Sequence, residues 1–133
     1  MVEPPVTEVT EPFWEATRER RLLIPWCIEC DAPVWYPREI CPTCLGSALE
    51  WRDASGAGEV YACTVEHRVT MPGPWGDEPY VVALVVLEEG PRMMTNVVGC
   101  DPATVTVGMA VRVTWEELSD GRNLPLFEPT PAP

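Results

Sequence analysis

The chain has 133 residues, 46% of them hydrophobic, and its 21 acidic residues against 9 basic ones give a formal net charge of −12. That length supports one ordinary core, and the acidity opposes DNA or RNA as a partner, because nucleic-acid binding depends on Lys and Arg neutralising phosphates. The longest apolar run, residues 81–87, falls far short of the ~20 residues that span a bilayer, and no basic stretch followed by an apolar one opens the chain, so a soluble, cytoplasmic protein with no membrane partner is expected.

Residues 1–10, beginning MVEPPVTEV, read as a linker or loose arm, since Pro4 and Pro5 favour extended backbone and nothing in the stretch is periodic. A helix is predicted from Glu11 to about Leu22, within a unit spanning 11–23. Thr10 is its N-cap, Pro12 sits in the first turn, and Glu15 and Glu19 precede Arg20 and Arg21 in the order the helix dipole favours. Its apolar stripe (Phe13, Ala16, Thr17) is short, so it must lie on something.

Residues 24–48 form a ribbon. Cys27-x2-Cys30 is followed after ten residues by Cys41-x2-Cys44. Paired C-x-x-C knuckles at this spacing point to one tetrahedral ion held by four thiolates, with Zn²⁺ expected and iron accepted by the same S₄ cage. Two disulfides are disfavoured in a reducing compartment, and redox chemistry needs only one such pair. A four-thiolate site has no open position, so the metal is a structural staple rather than a catalyst. Cys63 and Cys100 read as small buried hydrophobes.

From Leu49 to Glu128 the pattern changes to strands. GEVYACTVEHRV places Tyr61, Cys63, Val65 and His67 on one, inward face. PYVVALVVLEEG is apolar on both faces, as in a strand covered on both sides. PRMMTNVVGC, the VGMAVRVTWEEL segment and LPLFEP follow, with 129–133 as a tail. Short strands separated by Gly and Pro suggest a small five-stranded barrel, so the fold is mainly β. His67, the only histidine, precedes a Pro/Gly-rich loop carrying Trp75. It lacks a nucleophile motif, a second His and a paired carboxylate, so no catalytic residue is assigned and a structural or partner-contacting role is favoured. Phe13, Trp14, Trp26, Trp35, Tyr36, His67 and Trp75 are the candidate interface residues, because so many rings are hard to bury around so small a ribbon.

The ordered segments PFWEATRERRLLIPWCIECDAPVWYPREICPTCLG, GAGEVYACTVEHRV, PYVVALVVLEEGPRMMTNVVGCDP and VGMAVRVTWEEL closely resemble the family catalogued as domain-of-unknown-function thirty-five. The resemblance covers about residues 12–129 and implies an N-terminal helix, a rubredoxin-like zinc ribbon and an OB-fold. One departure is CPTCLG, where many members have Gly directly after the last cysteine and Gly46 comes one place later. The resemblance also implies a noncatalytic partner of thiolase-superfamily enzymes acting on acyl-CoA thioesters. In actinobacteria such partners join lipid-transfer-protein-type aldolases of steroid side-chain cleavage and are often fused to MaoC-like hydratase domains. In archaea they bridge a thiolase and an acyl-CoA synthase. Two other readings stand beside it: an OB-fold nucleic-acid module, opposed by charge, and a small thioester hydrolase using His67.

Overall fold

The computed structural model describes residues 2–68 and 73–131. A short helix α1 (Glu11–Thr17) is followed by strands β1 (Leu23–Cys27), β2 (Ala32–Pro33) and β3 (Leu49–Asp53), then by β4 (Ala57–Glu66), β5 (Tyr80–Leu87), β6 (Arg92–Val97), β7 (Ala110–Glu117) and β8 (Asn123–Pro129). The expected order of helix, ribbon and barrel is present.

α1 is shorter than its sequence suggests. Arg20 takes a left-handed conformation (φ 56°), and the N–H groups of Arg21 and Arg20 donate to the carbonyls of Ala16 and Thr17 at 3.1 and 2.9 Å. These are the two crossed bonds of a Schellman terminus, formed with arginine where glycine is commonest. The apolar stripe ends at Thr17, so the RERR run leaves the helix and stays exposed. What remains is fastened to β8. Thr17 and Asn123 are both buried; the Asn123 N–H donates to Thr17 Oγ1 at 3.2 Å and its Nδ2 donates to the Thr17 carbonyl at 2.8 Å.

β1 is the centre of a three-stranded antiparallel sheet, β2-β1-β3. β3 pairs with β1 along its whole length, from Leu49 opposite Cys27 to Asp53 opposite Leu23. Leu49 therefore opens the last ribbon strand rather than the barrel. The barrel closes in the order β4-β5-β6-β8-β7. All its pairs are antiparallel except β6 with β8, which meet in parallel at Val97 and Phe127.

One core serves helix, ribbon and barrel. Phe13, Trp14, Leu22 and Ile24 belong to the same buried cluster as Val60, Val81, Val85, Val111 and Phe127. Along β4 the alternation slips between Val60 and Ala62, where β5 advances only from Val85 to Leu84. Tyr61 is the extra residue of this bulge. Val60 is consequently buried, and Cys63 and Val65 pack on the core, while Tyr61, expected inside with them, is 47% exposed.

The N-terminal stretch is not a loose arm. Glu3 accepts from Ser119 N at 2.7 Å and from Ser119 Oγ at 2.8 Å, and Arg122 donates to the Pro4 carbonyl at 2.8 Å. The Ser119 backbone N–H, helped by its hydroxyl, holds the Glu3 carboxyl below the ordinary glutamate range. Arg122 also lies over the Trp14 ring at 5.0 Å, so the arm, α1 and the β7–β8 turn form one corner. Pro129, placed in the tail by sequence, is the last residue of β8, and the Thr130 N–H still donates to Ala110.

Candidate functional site

Cys27 ends β1 and Cys30 completes the first knuckle, while Cys41 and Cys44 lie on the second, in the loop between β2 and β3. All four Sγ atoms fall within 4.8 Å of one another. The separations Cys27–Cys44 and Cys30–Cys41 are 3.7 and 4.0 Å. A tetrahedral ion with metal–sulfur bonds of ~2.3 Å requires sulfur edges of about 3.8 Å, so the cage fits. Backbone N–H groups of Cys30 and Gly46 point at the Sγ atoms of Cys27 and Cys44, both at 3.4 Å. The N–H groups of Cys44 and Thr43 draw the Cys41 thiol down to about 6. Contacts with the Cys44 and Cys27 thiols push Cys30 up to about 12. One proton thus resists leaving so crowded a group of anions, and a divalent cation at its centre removes that penalty. These four cysteines could hold one metal ion, and with four protein ligands such a site leaves no position for a substrate.

The displaced glycine has a structural counterpart. Leu45, directly after the last cysteine, has φ 61°, and Asp31, at the matching place after Cys30, has φ 49°. Asp tolerates that conformation better than Leu. Leu45 is 75% exposed and has no compensating burial. Replacing Leu45 by Gly is therefore expected to stabilise the ribbon by about 0.5–1 kcal/mol, read as a raised midpoint in urea. Gly46 cannot make the reverse exchange cheaply, since a Cβ there would stand 3.1 Å from Glu29 Oε2 and 3.3 Å from Cys44 Sγ.

The expected interface residues divide. Phe13 and Trp14 are buried in the chain's own core at 6% and 9% exposure, packed edge-on to each other, and offer a partner almost nothing. Trp35 is half-buried and stacks obliquely on Phe13. Trp26 is half-buried, donates from Nε1 to Asp31 at 3.2 Å and lies beneath Arg52. Tyr36 is 49% exposed, and its hydroxyl accepts from the Met94 N–H at 3.3 Å. Trp51, Trp75 and Trp115 are also half-buried, so of the six tryptophans only Trp14 is sealed within the chain.

His67 is exposed just beyond the end of β4. It lines a groove of 840 Å³ with Trp75, Tyr80, Glu78, Asp101 and Glu116. Trp75 stacks on Tyr80 at 4.1 Å. Among the described residues no hydrogen bond joins His67 to a serine, cysteine or carboxylate, and the loop that follows it lies partly outside them. Cys63 and Cys100 are half-buried against the core cluster, close to the expected packing role. Nothing in GEVYACTVEHRV marks Tyr61 as turning outward, whereas the apolar outer positions of β5 are visible in PYVVALVVLEEG.

A four-cysteine ribbon joined through a common core to a closed five-stranded barrel defines a rubredoxin-like ribbon with an OB-fold. The comparisons agree. Residues 14–50 match the family model "ChsH2, rubredoxin-like zinc ribbon domain", and residues 51–116 match "ChsH2, C-terminal OB-fold domain". The solved structure of an "Ltp2-ChsH2(DUF35) aldolase" superposes with a TM-score of 0.83 at 37% identity, covering 96% of this chain and 98% of that one. A "DUF35 domain-containing scaffold protein" of Methanocaldococcus jannaschii is 34% identical over 80% of this chain and 77% of its own length. A "Probable enoyl-CoA hydratase alpha subunit" of Thermomonospora curvata is 41% identical over 88% of this chain. The "3-oxo-4,17-pregnadiene-20-carboxyl-CoA hydratase alpha subunit" of Mycobacterium tuberculosis is 31% identical over 90%. The chain spans only 36% and 38% of those two hydratase subunits. The chain belongs to the DUF35 family, with the ribbon and OB-fold domains of the ChsH2 type.

Proposed function

We propose that the chain is a noncatalytic accessory subunit that binds and activates a thiolase-like aldolase of the lipid-transfer-protein type. The aldolase would act on acyl-CoA thioesters and cleave steroid side chains by retro-aldol chemistry. The observation that carries this reading is the match, over nearly the full length of both chains, to the DUF35 chain of the Ltp2-ChsH2 aldolase. The steroid assignment is supported by the name of the mycobacterial relative.

On this reading the four-cysteine site holds Zn²⁺. Bound there, the ion supplies cross-linking rather than Lewis-acid chemistry, because Cys27, Cys30, Cys41 and Cys44 fill its coordination sphere. The reacting groups belong to the partner. A base there takes the β-hydroxyl proton, the Cα–Cβ bond breaks, and its electrons settle on the thioester enolate, which is then protonated at Cα. This chain would hold the partner's active-site surroundings in place, with the acyl-CoA near the interface. A MaoC-like hydratase domain is the second neighbour, since the hydratase subunits extend well beyond the part this chain covers. The complex is assigned to the cytoplasm, and with a net charge of −12 nucleic acid is not among its partners.

A scaffold that seats two CoA enzymes side by side is a second reading, favoured by the M. jannaschii relative. Co-expression with a thiolase-like aldolase subunit of the Ltp2 type, followed by size-exclusion chromatography with light scattering, tests both. A stable hetero-oligomer with that subunit alone supports the accessory reading, and a complex that forms only with two different enzymes supports the scaffold. No complex with either would sink both.

A further inference from the structure

β5 has two apolar faces. Val81, Ala83, Val85 and Leu87 point into the core at 0–3% exposure, and between them Val82, Leu84 and Val86 lie half-buried on the outside of the barrel. The register extends this outer face sideways. Ala62 and Met94 flank Leu84, and Arg92 flanks Val86. Met94 is 61% exposed. Tyr61, thrown outward by the β4 bulge, lies beneath the Arg92 guanidinium at 4.0 Å. A groove of 550 Å³ runs along the Tyr61 side, lined among others by Val86 and by Val107, which is 67% exposed. On the Met94 side the face meets Tyr36 of the ribbon. Of the residues expected to form an interface, Tyr36 alone joins it.

The centre of this face is free of the chain's acidity. The outward positions of β5 and β6 (Val82, Leu84, Val86, Arg92, Met94, Asn96) include no carboxylate, and the acidic members of the face, Glu59 opposite Val86 and Glu66, lie on β4. Among the described residues Arg18, Arg21, Arg52, Arg112 and Arg122 each pair with a carboxylate. Arg20, Arg38, Arg68 and Arg92 do not, and two of these four adjoin this face. Arg92 rests on the Tyr61 ring, and Arg38 donates back to the Tyr36 carbonyl at 3.3 Å. Each stands beside an exposed tyrosine. Tyrosine and arginine around a desolvated apolar centre are the usual anchors of protein interfaces.

We infer that the outer face of β4-β5-β6, centred on Leu84 and Met94 and flanked by Arg92 and Arg38, is the surface that docks the aldolase subunit. The docked region of that subunit is apolar at its centre and carries Asp or Glu opposite the two arginines. The inference rests on the accessory-subunit reading and adds where the partner sits.

The test is binding of the Ltp2-type aldolase subunit to the wild-type chain and to Met94→Glu, Arg92→Glu and, as a control on the arm, Val6→Glu. Thermal melts and metal content establish that each variant is folded; Met94→Ala replaces Met94→Glu if the latter is not. Expected are a loss of at least about tenfold in affinity for Met94→Glu, weaker binding with a shallower salt dependence for Arg92→Glu, and no change for Val6→Glu. Wild-type affinity in both face variants overturns the docking face and leaves the accessory reading standing. No binding by the wild-type chain overturns that reading and the docking face with it. A homodimer of the isolated chain that Met94→Glu dissolves assigns the face to a second copy and also overturns the inference.

Discussion

Cys41→Ser is expected to unfold the ribbon. Cys41 is 2% exposed and shares a small buried cluster with Cys27 and Val34, which has few apolar neighbours beyond the sulfurs. With so little core of its own, the loop between β2 and β3 depends on the metal. Structural zinc in small modules contributes apparent binding energies of about 10–16 kcal/mol, comparable with the entire stability of an ordinary domain at about 5–15 kcal/mol. Loss of one ligand should therefore abolish stoichiometric metal and the cooperative melt of the ribbon. A strong chelator under reducing conditions should reproduce the effect in the wild-type chain. Because Leu22 and Ile24 lie in the common core, the barrel should be weakened as well. An unchanged melting curve for metal-free protein would show that the cysteines do not staple the fold.

Phe127→Ala is expected to lower stability by about 3–5 kcal/mol, the usual effect of deleting a fully buried aromatic ring. Phe127 is 0% exposed and is the largest fully buried side chain of the barrel. It also occupies the single rung where β6 and β8 meet, opposite Val97, and its carbonyl accepts from the Val98 N–H at 2.8 Å. The cavity therefore opens where the barrel has fewest backbone bonds to resist it. A fall in melting temperature of about 10–20 °C should follow, with Phe127→Leu, which leaves a smaller cavity, losing less. A shift of only a few degrees for the alanine variant would mean that the barrel is not closed by this contact.

What was legible in the sequence depended on how local its cause is. The four-cysteine cluster was readable because two knuckles and the spacing between them define the cage whatever surrounds it. The five barrel strands were readable because each is a short alternating or wholly apolar run with its own Gly or Pro boundary. Pairing is another matter. Leu49–Asp53 looks like any strand before the barrel, and only its register against β1 assigns it to the ribbon. The Tyr61 bulge changes one step of pairing and exchanges Tyr61 for Val60 on the inward face, with no mark in the residues themselves. The clasp between Glu3 and Ser119 joins positions 116 residues apart, so the arm looked unattached. Phe13 and Trp14 were expected at an interface because so many rings looked hard to bury around so small a ribbon, and the core shared with β1 and β8 buries both. Leu45 was half visible as the missing glycine of CPTCLG, but its left-handed backbone needed coordinates.

The most direct measurement of the central claim is turnover of a β-hydroxyacyl-CoA thioester of a steroid side chain by three samples: this chain alone, the Ltp2-type aldolase subunit alone, and the two together. The account predicts none from the isolated chain, little from the aldolase subunit and rapid release of the carbonyl product from the pair, unchanged by His67→Ala. Turnover by the isolated chain that disappears with His67→Ala would contradict it.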